Sequence, residues 1–240
     1  MRRLFVPPAQ LPPAQLDASQ VRLTPEQTRY LTLVLRLRAG DELELFDGEG
    51  GRYPAQLESG EILRVGARLE AEARALEVVL AQALAKGEKM DLIVQKATEL
   101  GVARIVPLVA ERSVVKLSAE RGASRTERFR RIAQEAARQC GRADVPLIDE
   151  PQQLEPLLAA TDCLCLVLDP AERLRLSAAA RGVSRLLLAI GPEGGFSPAE
   201  LALAQRSGAL TVGLGPLVLR TETAGLAALS VLQHLHGALG

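Results

Sequence analysis

The 240-residue chain is poor in metal ligands, with two histidines, His234 and His236, and three cysteines. Cys140 stands alone after a helical segment, whereas Cys163 and Cys165 are two apart and share one face of a strand. That spacing suits no zinc site, and an odd count argues against a disulfide framework, so no metal is expected. Nor does any run approach the roughly 18 apolar residues of a membrane span, and no membrane partner is expected. The opening Met1-Arg2-Arg3-Leu4-Phe5-Val6-Pro7-Pro8 is broken by prolines before an apolar signal core can form, so a cytoplasmic address is expected. The chain also lacks a G-x-x-x-x-G-K-[ST] phosphate loop and a G-x-S-x-G nucleophile elbow. Gly213-x-Gly215 misses the third glycine of a dinucleotide fingerprint, which leaves a nicotinamide-dependent oxidoreductase a distant reading.

What is present is the composition of a globular protein, 48% hydrophobic and 24% charged. With 29 basic and 29 acidic residues the whole chain does not advertise a polyanion partner, but the charges are segregated. Arg2, Arg3, Arg22, Arg29, Arg36 and Arg38 precede an acid-rich stretch over 41–77, and a second basic cluster runs from Arg112 through Arg131, Arg138 and Arg142. Such clusters suit either phosphate contacts or an ordinary solvated surface.

Residues 1–72 read as β-rich. Asp41–Phe46 alternates polar and apolar residues, Asp47-Gly-Glu-Gly-Gly51 supplies a turn, and Arg52–Leu57 begins another strand, which fits a small barrel or curled sheet. The apolar run Leu31–Leu37 predicts a short helix. Over 73–240 strands and helices alternate. Strands are expected at 76–84, 105–109, 145–148, 163–168, 186–190 and 210–214. Helices are expected at 88–100, from a Ser124-x-x-Glu127 capping box onward, after Ser197-Pro-Ala-Glu200, and over 222–236. That alternation implies a mainly parallel sheet covered by helices.

Ligands of such sheets bind where loops leave the carboxyl ends of strands. Gly191-Pro-Glu-Gly-Gly-Phe-Ser197 follows an apolar strand, and its glycines let the backbone approach a ligand closely. The segment Leu214–Ala224 joins the last strand to the last helix, with an apolar stretch before Arg220, Thr221 and Glu222. Together the two turns suit an adenine-containing cofactor, held by apolar walls and main-chain hydrogen bonds.

At these residues the chain resembles the 16S ribosomal RNA (uracil-N3)-methyltransferase family of the SPOUT class. The resemblance rests on Arg36–Gly51 with its Leu-Phe-Asp-Gly-Glu-Gly, on Lys86–Gly101, Glu111-Arg-Ser113 and Arg128–Arg142, and on Ile190–Phe196 and Leu214–Ala224. It implies an α/β fold, with a SPOUT-type parallel sheet and trefoil knot preceded by a small PUA-like β-barrel. It further implies a homodimer holding S-adenosylmethionine in the knot, and methylation of one uridine at N3 in ribosomal RNA of the small subunit. Tyr30 and Leu31 depart from the family, many of whose members carry histidines there.

The residues expected around the cofactor are Leu168, Ile190, Gly191, Glu193, Gly194, Gly195, Leu214, Gly215, Leu219, Arg220 and Thr221. Those expected to meet RNA are Arg2, Arg3, Arg36, Arg112, Arg131, Arg138 and Arg142. Uracil N3 must lose its proton before it attacks a methyl carbon. A cation such as Arg220, Arg112 or Arg142 would stabilise the resulting anion, and Glu222 or water would take the proton. Equally, Arg220 and Glu222 would suit the mere ordering of a helix entrance. The rival functions are a SPOUT-type enzyme acting on another RNA or on a ribose oxygen, and a non-catalytic RNA-binding assembly protein.

Overall fold

The computed structural model describes residues 2–11, 19–69, 74–113 and 119–239. The chain divides into two units: residues 1–73 with 134–145, and residues 74–133 with 146–240.

The first unit is built on a five-stranded sheet, ordered β1 (Arg3–Phe5), β3 (Glu42–Phe46), β4 (Arg52–Ser59), β5 (Ile62–Val65) and β2 (Ser19–Arg22). The β1–β3 pair is parallel and the other pairs antiparallel. Period-two alternation sends Leu43, Leu45, Tyr53, Ala55, Leu57, Leu63 and Val65 into one core with Leu4, Val21 and Leu31. The short helix comes earlier than its apolar run suggests. Thr24 and Gln27 form a capping box that opens α1 (Pro25–Arg29), and a widened turn over Tyr30–Val34 follows. That turn closes through Leu35 N–H donating to the Tyr30 carbonyl, 3.0 Å, and buries Leu31 while Leu33 and Val34 stay 71% and 66% exposed. Next comes Arg36 at φ 55°, the left-handed region that a side chain enters at a cost.

In the second unit, six parallel strands run in the order β11 (Leu210–Val212), β9 (Leu164–Leu168), β10 (Arg185–Ile190), β6 (Glu77–Ala83), β7 (Arg104–Leu108) and β8 (Leu147–Ile148). Alternate strand residues serve the two faces. Val79, Ala81, Val106, Val167, Leu187 and Ala189 join one core, with α4 (Leu154–Ala159) and α6 (Pro198–Arg206) covering it through Leu157, Leu158 and Ala204. On the other face, α7 (Thr221–Leu235) packs on β6, β10, α2 (Lys89–Glu99) and the short α5 (Leu176–Ala179). Its buried Ala224, Gly225, Ala228, Leu229 and Leu232 recur at helical spacing, and the small ones let the helix lie close to the strands.

Two expectations need correction. The helix α3 (Ala119–Cys140) already runs through Ser124 and Glu127, so those residues are not its cap. The stretch from Gln134 to Val145 groups with the first unit rather than with the α/β unit. The reason lies in Arg3, whose Nη1 donates to the carbonyls of Ala137, 3.3 Å, and Arg142, 2.9 Å, while Val145 N–H bonds to the Gly48 carbonyl, 2.9 Å.

Candidate cofactor site

β9 ends at Leu168 and β10 at Ile190, side by side in the sheet. Just beyond these carboxyl ends lies a cavity of about 240 Å³, lined by Leu168, Pro170, Ile190–Glu193, Gly195, Val218–Thr221 and Ala224. The two turns singled out in the sequence therefore meet around one opening with largely aliphatic walls. Of the residues expected there, Leu168, Ile190, Gly191, Glu193, Gly195, Leu219, Arg220 and Thr221 line it. Gly194 lies outside the lining and instead offers its carbonyl to Arg112 Nη1, 3.0 Å. Leu214 and Gly215 are outside as well, because Gly213, just before them, is anchored to the segment after β9: its N–H bonds to the Leu174 carbonyl, 2.8 Å, and its carbonyl takes the Leu176 N–H, 3.1 Å.

The glycine turn is held from both ends. A Cβ on Gly191 would sit 3.1 Å from the Phe196 backbone nitrogen, so the turn closes tightly on its own main chain. Gly195 adopts φ 67°, and its N–H donates to the Pro192 carbonyl, 2.8 Å. Its exit is fixed by the Ser197–Glu200 capping box, in which Ser197 Oγ accepts from the Glu200 N–H and Glu200 Oε2 accepts from the Ser197 N–H. Glu200 Oε1 also accepts from the Glu111 N–H, 2.9 Å.

Sequence inspection missed Lys89. Its ammonium lies 3.4 Å from Glu193 Oε1 and 3.2 Å from Glu222 Oε2, joining the glycine turn to the entrance of α7. A lysine in the first turn of a helix opposes the helix dipole, and that mismatch was the available signal. The Glu222 carboxyl is held below its ordinary value by a hydrogen bond from its own backbone N–H. Lys89 and Arg220 assist, and partial desolvation opposes. The Lys89 ammonium is pushed above its ordinary value, first by its bond to Glu222 and then by Glu193, again against desolvation. Glu222 thus contributes stability above its ordinary pKa of 4.5, and that contribution is lost as pH falls through the lowered folded value. Lys89 contributes below its ordinary 10.5 and ceases to do so as pH rises through the raised folded value. Between those limits the pair stays charged. We expect Glu222→Gln to leave the midpoint of any neutral-range limb in kcat against pH unmoved; disappearance of the limb would make Glu222 the titrating base.

The seven arginines expected to meet RNA fare unequally. Arg2, Arg36, Arg112 and Arg131 are exposed, Arg131 pairing with Glu127 at 3.5 Å and Arg2 with Asp41 at 3.4 Å. Arg3 is a correction: it is 1% exposed, bonds to Glu44 Oε1 at 2.8 Å and stacks 4.7 Å from the Phe46 ring centre. Arg138 lies 4.0 Å over the Tyr30 ring and pairs with Glu135. Arg142 is mostly covered and pairs with Asp144 at 2.6 Å. Arg3, Arg138 and Arg142 therefore all make contacts within the first unit.

An apolar pocket at the carboxyl ends of a parallel sheet, in a chain that also carries a separate small β unit, defines a two-unit α/β protein with a site for a small organic cofactor. Comparison with known proteins narrows this class. Residues 72–233 match the family described as RNA methyltransferase domain, and residues 23–66 match the RNA methyltransferase PUA domain. Ribosomal RNA small subunit methyltransferase E of Bacillus subtilis is 32% identical, over 98% of this chain and 96% of that protein. Its counterpart from Synechocystis is 34% identical, over 93% and 76%. The crystal structure of ribosomal RNA small subunit methyltransferase E from Neisseria gonorrhoeae, bound to S-adenosyl methionine, superposes with a TM-score of 0.87. It is 30% identical over 98% of both chains. The chain belongs to the RNA methyltransferase family defined by these two domains.

Among the described residues, no helix is long and apolar enough to cross a membrane.

Proposed function

We propose that the protein transfers a methyl group from S-adenosylmethionine to N3 of a uridine in 16S ribosomal RNA of the small subunit, in the cytoplasm. The observation that carries this is the meeting of the Gly191–Gly195 and Val218–Thr221 turns around one largely apolar cavity. Support comes from relatives named as small-subunit ribosomal RNA methyltransferases, one of them solved with that cofactor.

The residues present fit the cofactor. Leu168, Ile190, Leu219 and Ala224 offer apolar surface to an adenine ring, and the tightly closed glycine turn presents main-chain rather than side-chain groups to its polar edge. When bound, the cofactor supplies an electrophilic methyl carbon on its sulfonium. The protein's part is to align uracil N3 with that carbon and to make loss of the N3 proton easier. Arg220, exposed at the rim, stabilises the negative charge that develops on the base. Glu222, kept ionised by its N–H and by Lys89, orients Lys89, and water takes the proton.

The closing segment is read as a trefoil knot. In support, the segment after β9 folds around the end of β11, Gly213 N–H bonding to the Leu174 carbonyl, 2.8 Å, and Leu176 N–H to the Gly213 carbonyl, 3.1 Å, and α7 then packs on β6 and β10 inside the sheet rather than beyond its edge. The protein acts as a homodimer. The exposed Leu217 and Val218 beside the cavity are apolar surface that a second copy would cover, and sedimentation should return the mass of two chains.

In the first unit, the turn carrying exposed Leu33, Val34 and Arg36 meets RNA. Its strained Arg36 backbone supports this, since strain persists where function holds it. Arg36→Gly should raise stability slightly, by roughly 0.5 kcal/mol, because glycine accepts positive φ. It should also weaken RNA binding and lower the slope of log K on log salt by about one. Lower stability with unchanged binding would remove the turn from the RNA surface.

The decisive experiment is methyl transfer into small subunits from a strain lacking the modification, followed by mass spectrometry of the digested RNA. N3-methyluridine is the expected product. A 2′-O-methyl nucleotide would redirect the assignment, and cofactor binding without transfer would make the protein a non-catalytic RNA binder.

A further inference from the structure

Gln82 is the one polar residue in the buried part of strand β6, Val78–Ala83, and it is completely buried. Its Nε2 donates to Thr221 Oγ1 at 2.9 Å, and the Thr221 hydroxyl lies 2.7 Å from the Gly191 carbonyl. Gly191 opens the glycine turn and Thr221 is the first residue of α7, so three separate stretches of chain meet in a single line of hydrogen bonds. The line has a direction. A carbonyl can only accept, so the one hydroxyl hydrogen of Thr221 goes to Gly191, and Thr221 Oγ1 must then receive a hydrogen from position 82. Gln82 Oε1 is left without a hydrogen-bond partner among the described residues. It faces Gly225, where a Cβ would come within 2.7 Å of it. An amide that leaves one buried acceptor unmatched is held there for its donor end.

We infer that Gln82 is a positioning residue that locks the two cofactor turns together before the cofactor arrives, acting only through Thr221 and Gly191. This deepens the functional reading above and rests on it for the identity of the ligand, but the lock itself is a property of the free protein. A second observation agrees. Gly225 sits on the buried face of α7 opposite Gln82, and only a residue without a side chain leaves the amide its place.

The test reverses the polarity of position 82 without changing its shape. Gln82→Glu has no hydrogen to give when ionised, but regains one when protonated, and burial raises the carboxyl pKa so that protonation falls within reach. Hydrogen–deuterium exchange in the free protein is the primary readout. At about pH 8.5, Gln82→Glu should speed exchange at least roughly tenfold in both the 191–196 and the 221–225 amides, relative to α6 in the same molecule. At about pH 5.5 that ratio should return toward wild type, a recovery the wild-type protein has no reason to show. Thr221→Val should give the same opening at both pH values, and Thr221→Ser, which keeps the hydroxyl, should not. Calorimetry with S-adenosylmethionine should show affinity falling and recovering in step with the exchange.

Turns equally protected in wild type, Gln82→Glu and Thr221→Val overturn the inference, as does opening that ignores pH in Gln82→Glu. If Gln82→Glu fails to fold, the Thr221→Val and Thr221→Ser pair decides by the same exchange criterion. A lock that opens as expected in a protein whose wild type does not bind S-adenosylmethionine would uphold the positioning role and sink the cofactor assignment instead.

Discussion

Gly195→Leu should lower the affinity for S-adenosylmethionine by at least about a hundredfold, roughly 2.7 kcal/mol, and abolish methyl transfer at ordinary cofactor concentrations. Two effects act together. Gly195 lines the cavity, where added side-chain volume competes with the ligand. It also sits at φ 67°, where an ordinary residue costs ~1–2 kcal/mol and would pull the turn toward another shape. The two can be separated. Asparagine tolerates the left-handed backbone but adds volume, and alanine adds little volume but resists the backbone. If volume dominates, Gly195→Asn weakens binding more than Gly195→Ala; if the backbone dominates, the order reverses. Calorimetry on folded protein reads both. A folded Gly195→Leu that binds the cofactor as wild type does would remove this turn from the cavity wall.

The parts of this molecule that could be read from the sequence are those governed by near neighbours. Period-two alternation over Glu42–Phe46 and the mostly apolar runs of β6, β9 and β10 announce one half-buried and one fully buried sheet. Ser197-Pro-Ala-Glu200 marks a helix start because its reciprocal hydrogen bonds lie within three residues. Ser124-x-x-Glu127 has the same pattern but lies inside a helix, because nothing local tells a cap from an interior turn once the helix begins upstream. The glycine turn and the entrance of α7 were visible by composition; although β9 lies between β10 and β11 in the sheet, the loop after β11 reaches the turn after β10 around one cavity. Polar residues whose partners are far away in sequence were not visible. Lys89 is 104 residues from Glu193, and Gln82 is 139 residues from Thr221. For Gln82 the signal existed, since an amide inside the run Leu76–Leu84 must find a hydrogen-bond partner or incur a cost of about 1–3 kcal/mol. For the arginines no such signal existed: Arg2 and Arg3 are adjacent, yet Arg2 is exposed while Arg3, at the start of β1, is covered through contacts with Phe46 and the distant Ala137 and Arg142 carbonyls.

Arg3 therefore carries the largest stability effect expected of any single side chain considered. Arg3→Ala should destabilise the protein by about 3–5 kcal/mol, the usual result of breaking a buried ion pair from one side. The loss has three parts. Glu44 keeps a carboxylate that is only partly reached by water; the Ala137 and Arg142 carbonyls lose their donor; and the space beneath the Phe46 ring is emptied. Arg3→Met would refill that space and leave the polar losses, so it should recover only part of the difference. Arg3→Met with Glu44→Leu also removes the stranded carboxylate and should recover more still, leaving the Ala137 and Arg142 carbonyls as the remaining loss. Urea midpoints at constant slope give these values directly. The same variants decide whether Arg3 belongs among the phosphate-contacting arginines. A side chain with 1% exposure cannot release counterions from RNA, so the salt dependence of RNA binding by folded Arg3→Met should match wild type. Unchanged stability together with a salt slope reduced by about one would put Arg3 back on the RNA-facing surface and undo the account of why residues 134–145 belong with the first unit.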